Sequence, residues 1–112
     1  MIREIKNYGK SGKYIQYTPL TNAKGIILYL HGLGEVGTDI NLIERNEIPK
    51  QIKQGYEAGY IVIAPQLQSG KGWPKSVLAS MFKILGTFEM DKHITGLSLG
   101  GMICMTTAQW AY

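Results

Sequence analysis

Three apolar stretches separated by amphipathic ones dominate the chain. "GIILYLHG" (25–32) carries Ile26 to Leu30 without polar alternation, the mark of a strand buried on both faces. "YIVIAP" (60–65) is a second such run and "KHITGLS" (92–98) a third, weaker one. Between them, "IPKQIKQGYEAG" (48–59) puts Ile48, Ile52 and Tyr56 on one helical face with Gly59 as a stop. "WPKSVLASMFKILG" (73–86) has Pro74 near its start and Gly86 as its stop, and "LGGMICMTTAQWAY" (99–112) follows the third strand as a helix. Upstream, "KYIQYTP" (13–19) alternates polar and apolar residues up to Pro19, which predicts a strand at a sheet edge, with "IREIKNY" (2–8) as its hairpin partner. Strand and helix in alternation predict an α/β fold: a mostly parallel sheet with helices on both faces, in one unit spanning 1–112. The three apolar strands are expected side by side and parallel, the first in the middle and the 92–97 strand at one edge.

Composition narrows the function classes. A chain of 112 residues, 45% of them hydrophobic, supports one modest core. The net charge of +4 is scattered, and its densest stretch, Lys50 to Lys53, lies on a helix pattern as a solvated face, so no nucleic-acid footprint is expected. Cys104 is the lone cysteine, set among Met102, Ile103 and Met105 as a buried, inert thiol, so there is no disulfide framework. The N-terminus has no apolar signal-peptide core, and the longest apolar run, "IILYL", is far too short to cross a bilayer. The expectation is a soluble cytoplasmic protein with no membrane role.

The chemistry is concentrated in two glycine-rich segments. Gly96-Leu97-Ser98-Leu99-Gly100 fits G-x-S-x-G at a strand-to-helix junction, where the turn strains the serine backbone and side chains at 96 and 100 would collide across the bend. Ser98 is then held at the tip, above a helix N-terminus that favours a developing oxyanion. It is expected at a sharp turn with positive φ, within a few ångströms of the Leu33 to Gly34 loop. The second segment is "LYLHGLGEVGTD" (28–39), a buried strand that runs through His31-Gly32 into a loop with Gly34 and Gly37. The Leu33 N–H from that loop and the Leu99 N–H are placed to form an oxyanion hole. A dinucleotide loop is the competing reading: Gly32, Gly34 and Gly37 match G-x-G-x-x-G, but the next strand ends Ala64-Pro65-Gln66 without the required acid.

"LHGLGEVGTD", "IVIAPQL", Trp73 and "HITGLSLGGM" occur in the order and roughly the spacing of α/β-hydrolase-fold esterases. The resemblance is greatest to the predicted esterase or peptidase group related to polyhydroxybutyrate depolymerase and to feruloyl and acetyl-xylan esterases, and it spans residues 25 to about 110. It implies a nucleophile at Ser98, oxyanion donors at Leu33 and Leu99, and hydrolysis of a small-molecule carboxylic ester through an acyl-enzyme. It also implies a bracing role for His31 with Gly32 and Gly34 in the oxyanion loop, and neither cofactor nor metal. Trp73 is a candidate substrate contact in the rim "QSGKGWP", with a packing anchor as the alternative.

The chain departs from that family in length. The family order is Ser, then Asp or Glu, then His, and no Asp, Glu or His follows Ser98. His93 starts the strand that leads to Ser98, so five residues put it about 16 Å away. His31 lies nearer but belongs to the bracing loop, and Glu35, Asp39 and Asp91 are loop and turn residues rather than a triad acid. The chain therefore resembles the N-terminal half of such an enzyme, inactive alone. Three arrangements accommodate this: part of a longer enzyme, a subunit completed by another chain, or a non-catalytic structural or binding component of a larger assembly. In each, an open edge at 92–97 and an apolar face around Met102, Met105 and Trp110 call for more protein to cover them.

Overall fold

The computed structural model describes residues 1–10, 12–70 and 72–96. Five strands, β1 (Ile2–Tyr8), β2 (Gly12–Thr18), β3 (Ile26–Leu30), β4 (Ile61–Gln66) and β5 (Lys92–Gly96), form one sheet in the order β1-β2-β4-β3-β5. Two helices, α1 (Glu47–Lys53) and α2 (Lys75–Leu85), lie between strands, with 3-10 segments at Leu33–Glu35 and Ile40–Arg45. As expected from the apolar runs, β3 lies between β4 and β5 and is parallel to both.

The sheet is mixed rather than mostly parallel. β1 pairs antiparallel with β2, and β2 antiparallel with β4, so the N-terminal hairpin is a structural part of the sheet. Of the two hairpin strands β1 is the one at the edge, with Ile2 and Ile5 about half exposed, and β2 is interior. The polar positions of "KYIQY" mislead here, because Tyr14, Ile15, Gln16 and Tyr17 are all buried. Gln16 satisfies its amide on Thr18 Oγ1 at 3.2 Å and so tolerates the interior.

Alternation along the strands feeds two cores. Ile26, Leu28, Leu30, Ile61, Ile63 and Tyr14 meet Met81 and Leu85 of α2 on one face. Ile15, Tyr17, Tyr29, Val62 and Ala64 meet Ile40, Ile43, Ile48 and Ile52 on the other. Each buried aliphatic side chain contributes about 1.5–3 kcal/mol, which is why runs apolar at every position settle at the sheet centre. α2 has the predicted limits, with Pro74 as N-cap and Gly86 as C-cap. α1 stops at Lys53, short of the predicted end: Gly55 takes φ 103 and the chain turns away, leaving Tyr56 exposed. Among the described residues no helix is long and apolar enough to cross a membrane.

A second anchor ties the hairpin to the Ile40–Arg45 segment. Arg3 donates through Nε and Nη2 to the two carboxylate oxygens of Glu44, each at 3.1 Å, and Tyr17 Oη donates to Glu44 at 2.8 Å. The buried Glu44 is thereby paired and hydrogen-bonded, the condition for burying a carboxylate.

Gly25 sets the start of the parallel ladders. Ile26 N–H donates to Asp91 O at 2.9 Å and Ile61 N–H to Gly25 O at 3.0 Å. A Cβ on Gly25 would lie 2.8 Å from Asp91 O and 3.2 Å from the Tyr60 ring. Gly25→Val is expected to cost about 1–3 kcal/mol through this overlap, read as a lower urea midpoint. An unchanged midpoint would mean that the backbone at Asp91 yields freely.

Candidate active site

The carboxyl ends of β3, β4 and β5 meet at one edge of the sheet. After Leu30 the chain turns through His31 and Gly32 into the 3-10 turn Leu33–Glu35. His31 is 1% exposed and Glu35 2%, whereas Leu33 between them is 54% exposed, so the turn is pinned at its ends and open at its tip. No acceptor for the N–H groups of Leu33 and Gly34 is found among the described residues, as expected for the first donors of a helical turn.

His31 is held at both ring nitrogens. Leu67 N–H donates to Nε2 at 2.9 Å, so the proton resides on Nδ1, which donates to Gly32 O at 2.6 Å. The ring packs on Trp73 with centroids 4.7 Å apart, and Trp73 Nε1–H donates to His31 O at 3.2 Å. Burial lowers the His31 pKa below its ordinary 6.5, against the opposing pull of the Gly32 carbonyl and the Glu35 charge. A neutral imidazole with both nitrogens occupied supports a loop; it has no lone pair free to accept a serine proton. Trp73 is 5% exposed and belongs to the core that α2 covers.

Gln66, the last residue of β4, clamps the far side of the loop. Its Nε2 donates to Glu35 O at 3.0 Å and to Asp39 O at 2.7 Å, while its main-chain carbonyl accepts from Tyr8 Oη at 2.8 Å. Gly37 N–H donates to Leu67 O at 3.0 Å. The Glu35 carboxylate accepts from Asn46 Nδ2. Asp39 is the N-cap of the Ile40–Arg45 segment, accepting from Asn41 N–H at 3.0 Å, and is engaged as a turn residue. Sequence reasoning missed Gln66 and Asn46. A glutamine closing an otherwise apolar buried strand is the available signal for the first, since a buried amide must find partners.

Gly96 ends β5, paired in register with Leu30, and His93 pairs with Ile27 at the opposite end, its ring against Tyr60. Ser98, Leu99 and Gly100 lie outside the described residues, as do Cys104 and the expected C-terminal helix. Gln68, Ser69 and Pro74 border a cleft of about 320 Å³ shared with Tyr8 and Lys10. Among the described residues no cluster of His, Cys, Asp or Glu is suited to hold a metal.

No protein-family model matches the chain, and no curated protein sequence matches it. Among solved structures it is similar to the crystal structure of a thermostable esterase, with a TM-score of 0.58 and 21% identity over 88% of this chain. The chain spans 34% of the length of that esterase. Its mixed five-stranded sheet flanked by helices is thus a fold shared with part of an esterase.

Proposed function

We propose that residues 1–112 form the N-terminal part of an α/β-hydrolase-fold serine esterase that cleaves carboxylic esters through an acyl-enzyme on Ser98. The observation that carries this is the register of β5 on β3. Gly96, the first residue of the G-x-S-x-G segment, lies beside Leu30, the residue that leads into the His31–Glu35 turn. The segment and the turn each follow the strand end that the nucleophile elbow and the oxyanion loop require in this fold.

The mechanism then uses the chain's own groups. Ser98 Oγ bonds to the ester carbonyl carbon as its proton passes to a base. The carbonyl oxygen takes up negative charge and is stabilised by the N–H groups of Leu33 and Leu99. The tetrahedral species expels the alcohol, which recovers the proton, and water then cleaves the acyl-serine by the same steps in reverse order. His31 and Gly32 hold the loop. The base and its orienting acid come from polypeptide beyond Tyr112 or from a second chain, which would also cover the outer edge of β5; among the described residues that edge carries no strand. No cofactor or metal enters the scheme.

Active-site labelling tests the proposal. A fluorophosphonate should label the polypeptide at its full coding length rapidly and only when Ser98 is present, whereas residues 1–112 without a base should label very slowly. Rapid labelling of the 112-residue chain that Ser98→Ala abolishes would show that the base lies within it. Absence of labelling at full coding length would favour a non-catalytic component of an assembly.

A further inference from the structure

We infer that Glu35 is the positioning residue of the oxyanion turn: its buried carboxylate, held by Asn46, fixes the direction of the Leu33 and Gly34 N–H groups. The inference rests on assigning that turn as the oxyanion site. Two backbone bonds lie within the turn, Glu35 N–H to Gly32 O at 3.4 Å and Val36 N–H to Leu33 O at 3.2 Å. The first is longer than an ordinary N–H···O bond and the second lies at the upper end of the range, so the turn's own bonds hold it weakly and contacts from outside set its direction. His31 imposes it at the entrance. At the exit the carbonyl of Glu35 accepts from Gln66 and its carboxylate from Asn46, while Leu33 and Gly34 between these clamps stay exposed.

A carboxylate is a costly group to bury, and packing alone would favour an apolar residue at this position. Its use here lies in the bond to Asn46, which connects the turn to the start of α1. Glu47, the residue after Asn46, takes a left-handed backbone with φ 52. A non-glycine residue holds that conformation where its surroundings over-determine it. The turn is thus tied to β4 through Gln66 and to α1 through Asn46, and Glu35 is the residue both ties share.

The test uses the polypeptide at full coding length with p-nitrophenyl acetate as substrate, measured well below the melting temperature of each variant. Glu35→Ala is expected to lower kcat about 10- to 100-fold with KM within about twofold, as tilting the oxyanion donors weakens transition-state binding alone. Asn46→Ala, which removes the donor from an exposed position, should lower kcat in the same way. Glu35→Gln keeps an acceptor for Asn46 and should restore kcat to within a few-fold of wild type. Tyr29→Phe removes a buried hydroxyl that has no partner among the described residues, and kcat should be unchanged. An active wild type in which Glu35→Ala leaves kcat intact, Gln fails to rescue, or Tyr29→Phe costs as much as Glu35→Ala overturns the inference alone. A wild type that neither hydrolyses the ester nor labels at Ser98 overturns the active-site assignment and this inference with it.

Discussion

Replacing Ser98 by alanine is expected to lower kcat for ester hydrolysis by about 10⁴- to 10⁶-fold in the full coding-length polypeptide. In the proposed mechanism every covalent step passes through the Ser98 oxygen. Without it the ester is left to attack by water, helped only by the donors at Leu33 and Leu99 and by binding of the substrate. Those residual contributions survive nucleophile loss, so the remaining rate should exceed that in water while no acyl-enzyme forms. A burst experiment separates the two cases: wild type should release a stoichiometric burst of alcohol, and Ser98→Ala none. Turnover within tenfold of wild type would mean that another group forms the covalent bond or that no covalent step exists.

Replacing His31 by leucine is expected to destabilise the domain by about 2–4 kcal/mol. The substitution keeps an apolar body but strands Leu67 N–H in the interior, where a buried orphan costs about 1–3 kcal/mol, and leaves Gly32 O with only the 3.4 Å bond from Glu35 N–H. The Trp73 ring also loses its partner. The same residue gives an acid limb to the stability profile. Burial holds folded His31 below its ordinary pKa of 6.5, so the unfolded chain binds this proton more readily than the folded one. Its contribution is complete above pH 6.5 and falls as the pH drops from there through the folded value, by up to about 1.4 kcal/mol per pH unit. Urea midpoints at pH 8, 7, 6 and 5 should fall more steeply in acid for wild type than for His31→Leu. Parallel profiles would show that His31 takes up its proton equally in both states.

The strands and the helix α2 were legible in the sequence for reasons that act locally. Ile26 to Leu30 and Ile61 to Ala64 are apolar at every position, and a run of that length is satisfied by a strand with a core on each face. Pro74 and Gly86 mark the ends of α2 through their own backbone chemistry. The end of α1 was misplaced because Ile52 and Tyr56 keep helical spacing across Gly55, whose left-handed backbone stops the helix first. The place of β2 was misjudged because Lys13 and Gln16 imitate the alternation of a half-exposed strand, although Gln16 is buried and meets its needs on Thr18.

By itself the sequence determined the alternating elements and the parallel trio with β3 at its centre, since both follow from apolar runs that each call for a strand buried on two faces. Tertiary structure alone decided how the His31–Glu35 turn is held. Its partners Asn46, Gln66, Leu67 and Trp73 lie 11 to 42 positions away along the chain. A hydrogen bond across such a separation exists only after the sheet has brought the carboxyl ends of β3 and β4 together, and no local pattern of residues encodes which buried donor will meet which acceptor.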